Sequence, residues 1–136
     1  MIMLSLIPLL LVPFVLYNLI AFGFIRADGA TPFDAQVFSM NMMSGGVFTL
    51  SLGHLLLLIS LVLMFFEIIK SSRTSNASVI DHLLSTLVFV AFLIEFLLVT
   101  SAAAPVFFLL MIMALVDVLA GFSVSIRSAG RDVNLN

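Results

Sequence analysis

Long apolar stretches alternate with short polar ones along this chain, and their lengths decide the fold class. One apolar stretch covers residues 4–24, a second 47–69, and a third tract runs from Leu83 to Ile126 almost without relief. A helix crosses a bilayer in about 20 residues, so the last tract must fold back on itself. The break belongs at Thr100-Ser101-Ala102-Ala103-Ala104-Pro105, because proline favours the first helical position and disfavours helix in the residue before it. The pattern predicts an all-α integral membrane protein with four transmembrane helices over 4–24, 47–69, 79–101 and 105–127, forming a single bundle.

The ends of these spans carry their own signals. Lys70 and Arg73 close the second span with cationic heads that belong at the water interface. Ser78 and Asp81 have capping-box spacing and predict the start of the third span. The first segment lacks a cationic leader region and exceeds the usual apolar length of a secretory signal, so it reads as a retained helix, bent by Pro8 and Pro13. In the loop that follows, Thr31-Pro32-Phe33-Asp34 resembles a helix start, and Phe33, Val37 and Met40 are spaced to share a face. A short amphipathic helix over 32–43, lying on the outer membrane surface and ended by Ser44-Gly45-Gly46, is the expectation.

Composition agrees with the pattern: 63% of the 136 residues are hydrophobic and 9% charged, against about 25% charged in soluble domains. The net charge of -2, with five Lys and Arg and no basic run, leaves no footprint for nucleic acid. The absence of Cys removes disulfides, thiolate metal sites and cysteine catalysis. Arg26 falls on one side of the predicted spans, while Lys70, Arg73, Arg127 and Arg131 fall on the other. The positive-inside rule then places both termini in the cytoplasm. Short loops and the lack of an import presequence suggest a bacterial inner membrane.

Polar residues inside the spans are where function is to be sought, because a charged group at mid-membrane is expensive. Counted inward at 1.5 Å per residue, Asn18, His54 and Glu95 fall at one depth, roughly 10 Å below the outer surface. They read either as a proton- or ion-binding site or as a polar clasp between helices. Asp117 lies deeper, on a stripe with Ala114, Gly121 and Ser125, and Ser60 shares its depth. Gly46, Gly53, Ser60 and Glu67 recur every seven residues and predict a helix-packing seam, with Gly121 as a small residue on the facing stripe. Glu67 precedes Lys70 by three residues, the spacing of an interfacial ion pair.

No motif for nucleophilic, phosphate or metalloprotease chemistry is present, so no catalytic residue and no metal site is assigned. His54 and His82 belong to opposite membrane faces, which excludes one haem between them, and Met40-Asn41-Met42-Met43 has no second cluster to form a copper route. No cofactor is expected. The chain reads as a non-catalytic accessory, structural or assembly subunit whose partners are the lipid bilayer and other membrane subunits. The alternative is a small oligomeric channel or proton-coupled transporter using Asp117, Glu95 and His54.

Overall fold

The computed structural model describes residues 7–23, 32–71 and 76–135. Among these residues, four α-helices are present: α1 (Leu11–Ala21), α2 (Leu52–Ser71), α3 (Asn76–Leu98) and α4 (Pro105–Leu135). A 3₁₀ turn, Pro32–Asp34, is followed by strands β1 (Gln36–Asn41) and β2 (Val47–Ser51), and a second 3₁₀ turn, Thr100–Ala102, joins α3 to α4. The helices α2, α3 and α4 are each long and apolar enough to cross a membrane. The shorter α1 has 11 residues, about 16 Å at 1.5 Å per residue.

The helices begin and end for local reasons. Val99 takes an extended conformation (φ -107°, ψ 123°) and stops α3. Pro105, whose missing N–H is an orphan at a helix start in any case, then opens α4. Pro8, ahead of α1, and Pro13, in its first turn, are buried, and the backbone turns through Leu11 N–H to Pro8 O and Val12 N–H to Leu9 O as the helix is established.

α4 packs against both α3 and α2 and buries more of its surface than either. The core is aromatic. Phe92 of α3 meets Phe14 of α1 edge-on at 4.9 Å and Phe107 of α4 at 5.3 Å, and Tyr17 lies between Phe33 at 4.4 Å and Phe107 at 4.8 Å. Leu10, Leu56, Val88, Leu110 and Ala114 complete it. The outward faces of α2 and α3 are apolar and exposed, as at Leu58, Leu61, Phe65, Leu87 and Ile94.

The loop departs most from its sequence reading. Residues 32–43 do not form a helix: beyond the single 3₁₀ turn, β1 and β2 pair antiparallel, with Asn41 opposite Val47, Met40 opposite Phe48 and Phe38 opposite Leu50. The reason is a period of two in Phe38-Ser39-Met40-Asn41 and Phe48-Thr49-Leu50-Ser51, which overrides the helical spacing of Phe33, Val37 and Met40. Gly45, at φ +89°, makes the reversal that a side chain would strain, and Met42 N–H donates to Gly46 O at 2.8 Å across it.

Other boundaries shift with it. α2 begins at Leu52 rather than 47, because the preceding five residues belong to β2; this takes Gly46 off the helical seam and into the hairpin turn. α3 occupies 76–98 rather than 79–101, so Ser78 is inside the helix and not its cap. α4 continues to Leu135, past the expected end at 127. The cations Arg26 and Arg73 and the cap Thr31 lie outside the described residues, as do the side chains of Ser78, Ser125, Arg127 and Arg131.

Candidate functional site: a buried polar network

The last turn of α2 and the first turns of α3 are antiparallel neighbours, and each brings polar groups to the same level. On α2, Glu67 and Lys70 stand three residues apart with their heads 3.3 Å from each other. On α3, Asp81 and Ser85 stand four apart, the spacing that puts two side chains on one face. Lys70 Nζ lies 3.2 Å from Asp81 Oδ1, and Ser85 Oγ donates to Glu67 Oε1 at 3.2 Å. Asp117 of α4 is buried and electrostatically coupled to Glu67, Asp81 and Lys70. The acids are withdrawn from the surface, Glu67 being 0% exposed and Asp81 and Asp117 4% each, while the Lys70 side chain is 11% exposed.

The network also holds the approach to α1. Leu9 N–H, an orphan donor at the frayed start of that helix, donates to Glu67 Oε2 at 3.0 Å, and Lys70 Nζ donates to Ile7 O at 2.7 Å. A carboxylate at a helix N-terminus is favoured by the helix dipole as well as by the hydrogen bond. Pro8 sits between the two bonded backbone groups, so the irregular backbone around it is satisfied by side chains from another helix.

A second polar contact lies toward the other end of the bundle. Asn18 Nδ2 donates to Glu95 Oε2 at 3.1 Å and to Phe14 O at 2.9 Å, and Tyr17 Oη donates to Ser101 O at 2.7 Å. His54 does not join this layer. Its Nδ1 lies 2.9 Å from Ser51 Oγ, and it is exposed at the junction of β2 and α2, because β2 claims the residues that would have carried His54 one turn deeper. Beside Tyr17 a cavity of about 330 Å³ opens, lined by Phe33, Asp34, Ser101 and Pro105.

Of the small residues expected on the seam, Gly53 and Gly121 lie at close approaches. A Cβ on Gly53 would stand 3.0 Å from Val106 Cγ2 and 3.2 Å from Phe33 O. A Cβ on Gly121 would stand 2.5 Å from His82 Nδ1, and the His82 ring meets Phe122 edge-on at 4.4 Å. Ser60 does not reach Asp117; its hydroxyl donates back to Leu56 O at 2.6 Å. Asp117 is coupled instead to the acids Glu67 and Asp81, and Glu67 lies about two turns along α2 from Ser60.

Glu67 and Lys70 are visible in the sequence as a pair, but not as the centre of a four-segment network. The missed signal is that polar residues at helical spacing, Glu67-x-x-Lys70 and Asp81-x-x-x-Ser85, flank one polar segment in the same order, Lys70 and Asp81 being the nearer pair and Glu67 and Ser85 the farther. Among the described residues no group of three or more His, Cys, Asp and Glu is placed to hold a metal ion. Compared with protein-family models, curated proteins and solved structures, the chain matches none.

Proposed function

We propose that this chain is a non-catalytic integral membrane protein that crosses a bacterial inner membrane four times, with both termini in the cytoplasm, and serves as an accessory or assembly subunit of a larger membrane complex. The observation that carries the reading is how its buried polar groups are spent. Glu67, Lys70, Asp81 and Ser85 bind one another and the backbone of Ile7 and Leu9, tying the helices together rather than facing outward. What remains outward on α2 and α3 is apolar surface suited to lipid or to other membrane helices. The fourth crossing is supported by the first segment. It is bonded to Glu67 and Lys70 at one end of the bundle and, through Tyr17, to Ser101 near the other. Native mass spectrometry after gentle detergent extraction should recover the chain with other membrane proteins at near-equal amounts. Recovery only as a free monomer would sink the assignment.

One observation favours a second reading, a small oligomeric proton-coupled transporter or channel. Glu67, Asp81 and Asp117 outnumber the single Lys70 among them, and a surplus of buried acids is where a proton or small cation is held. In this reading Asp117 is the central residue, with Glu95 and Asn18 farther along the bundle and His54 at its surface. Purified protein in proteoliposomes should then carry proton flux that Asp117→Asn alters; equal flux in the two proteins, or none in either, rejects it.

A further inference from the structure

The hairpin of β1 and β2 has two unlike faces. In an antiparallel pair, residues opposite one another point to the same side. Phe38 with Leu50 and Met40 with Phe48 therefore make one face, and Ser39 with Thr49 and Asn41 with Val47 make the other. The Phe38 and Phe48 rings confirm the sidedness, meeting at 6.3 Å. Of these pairs the first face is apolar throughout and the second polar except for Val47, with Val37 at the irregularity between Gln36 and Phe38. Yet the apolar face is not packed on the bundle, for Phe38, Met40 and Phe48 are 47%, 48% and 45% exposed.

Three features bear on what covers it. β2 passes into the membrane-length helix α2 between Ser51 and Leu52 with no intervening loop, so the hairpin begins where the apolar span ends. Leu52 N–H donates to Ala35 O at 2.8 Å, which fastens the other strand to the same point. Finally, no Asp, Glu, Lys or Arg occurs from Ala35 through Phe66, so neither strand carries a charge that would hold it in bulk water or select a charged partner. A two-stranded hairpin is marginal in water, and both its edges carry unpaired backbone groups that the hydrocarbon core would not tolerate. The zone that suits both demands is the boundary of headgroups and acyl chains.

We infer that this hairpin is a membrane-surface ribbon: Phe38, Met40, Phe48 and Leu50 lie against the acyl chains of the leaflet at the α2 N-terminus, and Ser39, Asn41 and Thr49 face water. The attachment is apolar and indifferent to headgroup charge. It anchors the start of α2 at a fixed depth.

The chain contains no Cys, so single cysteines can be introduced without background. Phe38→Cys, Met40→Cys and Phe48→Cys on one face, and Ser39→Cys, Asn41→Cys and Thr49→Cys on the other, would each be made in the full chain. Each would carry an environment-sensitive fluorophore in phosphatidylcholine vesicles. Brominated acyl chains should quench the first three several-fold more than the second three, and iodide present on both sides of the membrane should quench in the reverse order. The pattern should persist when phosphatidylglycerol is added or salt is raised. Equal iodide access at all six positions, meaning a hairpin standing in water, would overturn the inference. So would first-face labels shielded from both quenchers, meaning a protein cover such as a second copy, or an alternation that appears only with anionic lipid. Met40→Cys is the mildest of the first-face changes, so its label alone decides if the phenylalanine variants do not fold.

Discussion

Lys70 bridges two buried carboxylates, Glu67 at 3.3 Å and Asp81 at 3.2 Å, while its third donor direction is taken by Ile7 O at 2.7 Å. Removing the ammonium leaves two buried acids and a backbone carbonyl without their partner, which is far costlier than losing an exposed pair. Lys70→Met should therefore lower stability by about 3 kcal/mol or more, read as a clear drop in thermal midpoint in mild detergent. A midpoint unchanged from the parent would mean that the network contributes little. Gly121 makes a steric case at the same scale. A methyl group there would meet His82 Nδ1 at 2.5 Å, with the ring already held by Phe122. Gly121→Ala should cost about 1–3 kcal/mol as overpacking, and His82→Ala in the same chain should recover most of it. Failure of the second change to recover stability would place the strain elsewhere. The Glu67 and Lys70 spacing is legible in sequence, but the reach of Lys70 to Asp81 and Ile7 and the meeting of Gly121 with His82 are not, because they depend on which faces of different elements meet.

At the scale of elements, the turn of the hairpin rests on Gly45 at φ +89°, with nothing near the position a Cβ would take. The obstacle to a side chain there is backbone strain alone, of about 1–2 kcal/mol for a residue other than glycine. Gly45→Val should fray β1 and β2, seen as loss of the face-to-face difference in quenching between Met40 and Asn41 labels, while α2 keeps its helicity. A full difference retained in that variant would show that the ribbon does not depend on this turn. The apolar lengths of α2, α3 and α4 and the proline start of α4 are legible because they rest on composition and on the fixed backbone angle of proline. Residues 32–51 are harder to read. Phe33, Val37 and Met40 satisfy a helical period while Phe38 to Asn41 satisfy a strand period, and only the partner strand, Val47–Ser51, decides between them. Assigning that partner to the start of the second span conceals it. The shift of His54 away from Glu95 follows from the same five residues.

For the molecule as a whole, the path of the first segment decides the architecture. α1 is only about 16 Å long, roughly half of a bilayer core, whereas α2, α3 and α4 each suffice alone. Its anchor points argue that it nonetheless runs the depth of the bundle. Ile7 and Leu9 are bonded at the level of Lys70, beside the polar turn between α2 and α3. Tyr17 donates to Ser101, in the turn between α3 and α4 at the opposite end. Long side chains at both ends, Glu67, Lys70 and Tyr17, make up the distance that so short a helix leaves. If the segment crosses, Ile2 and Asn136 lie on one side of the membrane and Met43 on the other. Single cysteines at these positions, tested in intact cells with a thiol reagent that does not cross membranes, should then divide in that way, with Met43 labelled and the two ends protected. Labelling of Ile2 together with Met43 would mean three crossings, with Glu67 and Lys70 grasping a segment that enters and leaves on one side.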